Sequence, residues 1–292
     1  MPGRRRPSLL AAAGLAAALT ACSSGTPAAV QPTVSATPAP TLGLAQASAP
    51  AGSIPVAGHA PVAGTPWYLA IGDSITFGYS LDPARAGVNS SWALLLQGML
   101  AASGRPWQLY DTACVAERTD TYYTRCPGRA LTPFLTDTSQ HDAALAAITA
   151  HRADLRAIFV DLGSNDLLRA LRHDTTLPVA ISALRTALAH IVGELQAAAP
   201  GVPVIVCNFY DPFANIDPAT RPEVVAINAV VSQVAAAQHA RLADFYAAID
   251  ASTSGVDTQL CQWVDCTHGD IHPTIAGQQR LARAAFKALG PA

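Results

Sequence analysis

Two continuous apolar runs, Ala157-Ile158-Phe159-Val160 and Val204-Ile205-Val206-Cys207, constrain this chain most. A strand without polar alternation has both faces covered, which is the condition of a central strand in a parallel sheet. The runs sit inside candidate strands at residues 156–162 and 203–209, and similar strand-forming stretches occur at 67–72, 107–111 and 241–245. Between them lie segments with 3.6-residue apolar periodicity at 91–102, 142–150, 179–198, 222–239 and 275–288. Strand and helix therefore alternate through the chain, and the order predicts an α/β fold: a three-layer α/β/α sandwich, flavodoxin-like, around a five-stranded parallel sheet.

That topology gives meaning to the residues just past the strands, because open α/β sheets collect ligands at the carboxyl edge. The first strand runs into Gly72-Asp73-Ser74-Ile75-Thr76-Phe77-Gly78, the third into Gly163-Ser164-Asn165-Asp166, and the fourth into Asn208. Ser74, Asn165 and Asn208 are thus expected on one edge. Near the C-terminus, Asp270-Ile271-His272-Pro273-Thr274 precedes the last helix. Each motif alone also suits an ordinary turn or loop. Their joint occurrence, in order and at strand ends, is the informative observation.

Together these three blocks resemble the SGNH (GDSL) hydrolase family, over the whole of residues 67–292. The resemblance implies a serine ester hydrolase, esterase- or lipase-like, working through an acyl-serine intermediate without cofactor or metal. Serine is a weak nucleophile at neutral pH, so Ser74 needs His272 as base, and an acid to orient the imidazole. The oxyanion of acyl transfer needs preorganised donors, which the resemblance assigns to the Ser74 N–H, a backbone N–H after the second strand, and the Asn165 side chain. Two positions depart from the pattern. Ala116 stands where the family has the glycine of its second block, and its backbone N–H is the expected second donor; Gly269 stands where the usual acid lies, three residues before the histidine. Asp270 is then the expected acid, with a dyad oriented by a backbone carbonyl as the alternative, and Asp265, three residues before His268, as a decoy match. The departures also motivate a silent surface-binding lipoprotein as a rival. A transferase or deacetylase acting on envelope glycan would use the same residues. For the acyl pocket, Phe77, Tyr79, Phe209, Tyr210 and Trp263 are the aromatic candidates, although loop aromatics often merely pack.

Six cysteines are present. Cys114 with Cys126 and Cys261 with Cys266 are close pairs flanking the proposed active edge, and they read as disulfides that pin loops in an exported domain. Cys207, in an apolar strand, reads as a buried free thiol. Cys261, Cys266, His268 and His272 also form a cluster suggestive of zinc, but the spacing fits no ordinary zinc pattern and the cluster would consume the histidine that Ser74 needs.

The N-terminus reads as an address. Arg4-Arg5-Arg6 is a positive region, residues 9–19 form an apolar core too short to span a bilayer, and Leu19-Thr20-Ala21-Cys22 resembles the bacterial lipobox. The expectation is a lipoprotein signal at 1–21, lipidation of Cys22 and anchoring to the outer face of the cell membrane, with ordinary secretion as the alternative and the export route, general or twin-arginine, open. Residues 22–66 are mostly Ala, Pro, Ser, Thr, Gly and Val, a composition that cannot bury enough surface to fold and so reads as a flexible tether. With 50% hydrophobic and 13% charged residues and a net charge of -2, the chain has no electrostatic bias toward nucleic acid. The expected partners are a small-molecule, lipid or glycan ester and the membrane, and the expected state is a monomer.

Overall fold

The computed structural model describes residues 60–82, 90–135, 137–250 and 255–291. The expected signal, Cys22 and the tether up to residue 59 lie outside them. Five strands appear: β1 (Trp67–Gly72), β2 (Gln108–Asp111), β3 (Leu155–Asp161), β4 (Val204–Cys207) and β5 (Arg241–Ala243). They pair in parallel in the order β2-β1-β3-β4-β5. This is the expected five-stranded flavodoxin-like sheet.

Eight α-helices connect the strands among the described residues: α1 (Ser74–Phe77), α2 (Trp92–Ala102), α3 (Gln140–His151), α4 (Ser164–Leu171), α5 (Leu177–Ala198), α6 (Arg221–Ala237), α7 (Phe245–Ile249) and α8 (Ile275–Leu289). Alternate strand residues feed two cores. Leu69, Ile71, Ile158, Val160, Val204 and Val206 pack with side chains of α3, α5 and α6, while Tyr68, Ala70, Phe159, Ile205 and Cys207 pack with those of α2, α7 and α8. Double coverage explains the unbroken apolar runs, and each such side chain fully buried contributes about 1.5–3 kcal/mol. No helix of the described residues is long and apolar enough to cross a membrane.

Three differences from the sequence reading have local causes. Residues 60–66, assigned to the tether by composition, are tied to the domain: Val62 N–H donates to Gln108 Oε1 at 3.0 Å and Gly64 N–H to Asp154 Oδ2 at 2.8 Å. The fifth strand stops at Ala243 because Asp244 caps α7, its carboxylate accepting Ala247 N–H at 3.0 Å, so Phe245 begins a helix. The stretch after Gly163 is not merely a turn but opens α4, whose Leu167, Leu168 and Ala170 are buried.

Candidate active site

Ser74 is placed by a hairpin turn of backbone at the end of β1. Gly72 is required there: a Cβ on it would lie 2.1 Å from Thr76 Oγ1 as α1 folds back over the strand end. Asp73 then caps α1, its Oδ1 accepting Ile75 N–H at 2.8 Å, which leaves Ser74 as the first helical residue.

His272 arrives from the other end of the chain on a heavily bonded loop. The disulfide Cys261–Cys266 closes its start, Asp265 N–H donates to the His272 carbonyl at 3.0 Å, and Thr274 caps α8 through Gly277 N–H at 3.1 Å. Gly269 explains the displaced acid. It sits at φ +63°, a left-handed turn that favours glycine, and Asp270 follows it directly. Asp270 Oδ1 lies 2.5 Å from His272 Nδ1, and Ser74 Oγ lies 2.8 Å from His272 Nε2.

The chemistry of the donors fixes the proton positions. Burial raises the Asp270 carboxyl, but the hydrogen bonds from His272 and from the Leu81 N–H, 2.7 Å from Oδ2, outweigh it and hold the group down at about 2. An ionised carboxylate only accepts, so Nδ1 carries the hydrogen. Nε2 is then the acceptor for the Ser74 hydroxyl. Tyr79 packs edge-on against the imidazole, with ring centroids 5.0 Å apart, and narrows its freedom to swing away.

The loop after β2 supplies the opposite wall. It is zipped to β1 by Thr112 N–H to the Ala70 carbonyl at 2.9 Å and Cys114 N–H to the Gly72 carbonyl at 3.0 Å, and Cys114 is disulfide-bonded to Cys126. Ala116 stands at φ +64°, in the left-handed region where the family pattern has glycine. The alanine thus takes up the glycine's conformation. Among the described residues, the N–H groups of Ser74 and Ala116 donate to no other group. The Asn165 amide, near the start of α4, donates to the Glu117 carbonyl at 2.9 Å and to Asp73 Oδ2 at 3.2 Å. Asp73 Oδ2 also accepts the Ser164 hydroxyl.

Holding alanine in the left-handed region costs roughly 1–2 kcal/mol, of which glycine's extra freedom in the unfolded chain offsets roughly 0.5–1. Ala116→Gly is therefore expected to stabilise the fold by about 0.5–1 kcal/mol, visible as a higher midpoint in denaturant with an unchanged slope. A lower midpoint would show that the alanine is unstrained.

Buried acids surround this site. Burial and then repulsion from Asp161 raise the Asp73 carboxyl, and burial raises Asp161 against hydrogen bonds from Thr76 and Trp92. Burial likewise pushes Glu117 up to about 7, against hydrogen bonds from Thr121 and Gln140. Gln140 on α3 grips the strand end: its Oε1 accepts Gly72 N–H at 2.7 Å, and its Nε2 donates to the Gly72 carbonyl at 2.9 Å and to Glu117 at 3.1 Å.

The structure therefore brings together Ser74, His272, Asp270, Asn165 and the Ala116 loop. It leaves other candidates outside. Asn208 donates to Asp244 Oδ1 at 2.8 Å and accepts Tyr246 N–H at 2.9 Å, a bracing role behind β4. Asp265 and His268 do pair, at 2.8 Å, but away from the Ser74 hydroxyl, which His272 takes. Trp263 packs under Arg280, 3.7 Å from its guanidinium carbon, and Phe77 does not line the pocket at Ser74. Cys207 is buried and free. The sulfurs of Cys261 and Cys266 are joined to each other, so the thiolates that the zinc alternative requires do not exist. Tyr79, expected as a pocket wall, packs against His272 instead, and Gln140, Glu117 and the Leu81 N–H had no motif to announce them.

A family model described as GDSL-like lipase/acylhydrolase matches residues 70–280, from β1 into α8. The chain belongs to the GDSL-like lipase/acylhydrolase family. The fold is also similar to that of solved structures of low identity. An acetylxylan esterase from Geobacillus stearothermophilus, Axe2, is 17% identical with a TM-score of 0.55, over 79% of this chain and 96% of that one. TesA is 20% identical with a TM-score of 0.51, over 77% and 98%. LAE5, an α/β hydrolase enzyme from the metagenome of Lake Arreo, Spain, is 20% identical with a TM-score of 0.54, over 79% and 97%. At these identities the likeness speaks to the fold. No curated protein matches the chain.

Proposed function

We propose that this chain hydrolyses carboxylic esters through an acyl-serine intermediate. The observation that carries the reading is the continuous relay from Asp270 through His272 to Ser74, with hydrogen-bond distances of 2.5 and 2.8 Å. Ser74 Oγ attacks the ester carbonyl while its proton passes to His272 Nε2. The tetrahedral oxyanion is held by the N–H groups of Ser74 and Ala116 and by Asn165, whose bond to Asp73 is the weaker of its two and yields to the oxyanion. Collapse breaks the bond to the alcohol, which leaves with the proton from Nε2. Water then repeats the sequence: it gives a proton to Nε2, attacks the acyl carbon, and releases the carboxylic acid and Ser74. The two departures that favoured a silent binder have structural accommodations: Ala116 keeps a free N–H in the glycine conformation, and Asp270 reaches His272. A fluorophosphonate probe tests the reading, since it phosphonylates activated serines. One label per native chain is expected, and an unlabelled folded protein would overturn the proposal.

The same reading extends to placement: an exported enzyme, anchored by a lipid on Cys22 and acting as a monomer at the outer face of the cell membrane. The two disulfides support an oxidising compartment. Cells fed a labelled fatty acid are expected to incorporate it into the native protein and not into Cys22→Ala. Equal labelling, or none in either, would refute the anchor.

A further inference from the structure

The space beside Ser74 has a shape that the reacting residues alone do not require. Beside the polar Ser74, Ser164, Asn165 and His272, its lining is apolar: Ile75, Leu167, Leu168, Phe209, Tyr210, Pro212 and Ile271. The cavity volume is about 30 Å³. One water needs roughly 10–15 Å³ by this measure, so the cavity admits about two or three small groups.

Its walls are fixed. Phe209 is gripped on both sides of its peptide frame by Asn228 of α6, which accepts its N–H at 2.9 Å and donates to its carbonyl at 2.7 Å. Tyr210 also lines the cavity and donates its hydroxyl to the Ile271 carbonyl at 2.7 Å, one residue from the base. Leu167 and Leu168 project from α4, the helix that also presents Asn165, and are almost wholly buried. Enlarging the cavity would displace either this helix or the segment that holds His272. Packed interiors resist such strain, and extra methylenes forced into them are strongly disfavoured.

Of the two halves of an ester, the acyl half belongs in this narrow apolar space. It stays bonded to Ser74 after the first step and needs no exit until hydrolysis. The alcohol must take its proton from Nε2 and leave, which a narrow rigid pocket would hinder. We infer that this pocket selects acetyl and propionyl esters and excludes longer acyl chains, with Leu168, Phe209 and Tyr210 as the length-limiting residues.

This inference rests on the ester-hydrolase reading, and the experiment separates the two. Steady-state kinetics on p-nitrophenyl esters from acetyl to octanoyl keep the leaving group constant while the acyl chain lengthens. For the native protein, kcat/KM is expected to fall at least tenfold between propionyl and hexanoyl. Values that stay level or rise toward octanoyl would overturn the pocket assignment while leaving ester hydrolysis intact. Absence of turnover on every ester, acetyl included, would overturn the hydrolase reading itself. Leu168→Ala should raise the butyryl-to-acetyl ratio of kcat/KM about tenfold, and an unchanged ratio in the folded variant would remove Leu168 from the wall.

Discussion

Ser74→Ala will abolish fluorophosphonate labelling and lower kcat for ester hydrolysis by roughly 10⁶-fold, the scale on which removal of a relay nucleophile acts. The loss is this large because His272 and Asp270 have nothing to activate once the hydroxyl is gone. Substrate can still bind, so KM should change much less than kcat. The fold should also survive. The Ser74 hydroxyl bonds only to His272 among the described residues, and the strand-to-helix turn depends on Gly72, Asp73 and Thr76. Circular dichroism and an unchanged denaturation midpoint would establish that, and residual turnover within tenfold of native would remove Ser74 from the mechanism. A second replacement sharpens the reading. If Ser74, His272 and Asp270 act as one unit, adding His272→Ala to Ser74→Ala costs little more than either change alone. Additive losses would mean separate roles.

How far this arrangement was legible before the structure depends on which part carried the signal. The central strands β1, β3 and β4 were readable because their apolar runs follow from coverage on both faces, whereas the edge strands β2 and β5 are short and carry polar residues. Ser74 and Asn165 could be picked out because they stand just past β1 and β3, and Asp270 and His272 because their motif precedes the last helix. What could not be read was the framework of backbone contacts. The Leu81 N–H that holds Asp270 lies 189 residues away in sequence, and a main-chain donor leaves no side-chain trace. Gln140 stands in the polar first turn of α3, before His141 and Asp142, and only the fold shows that it grips Gly72. The resemblance marked Ala116 as a donor, but its left-handed backbone was not readable because alanine does not announce a positive φ as glycine does. The helix α4 was hidden by its own function: Gly163-Ser164-Asn165-Asp166 has turn chemistry, and the helix needs that turn to deliver Asn165 to the site.

Asp270→Asn will lower kcat by roughly 10⁴-fold with the fold intact, distinguishing a triad from a serine–histidine dyad. The argument turns on the tautomer. With Asp270 ionised, Nδ1–H is donated to it and Nε2 faces Ser74 as an acceptor. An asparagine that turns its NH₂ toward the ring, as the Leu81 N–H favours by claiming the amide oxygen, makes Nδ1 the acceptor and puts the hydrogen on Nε2. The base then faces the serine already protonated. Moreover, the imidazolium that forms during attack loses its counter-charge. The pH dependence has a defined sign. The folded carboxyl is held at about 2, below its ordinary 3.8. Its contribution to stability is therefore fully present above the ordinary value and is lost as pH falls from there through 2. Between pH 5 and 8 Asp270 stays ionised, so the native acid limb of kcat in that range reports another group, and the Asn variant should be depressed across the whole interval. A variant within tenfold of native at every pH would show that a backbone carbonyl can orient His272 without the acid.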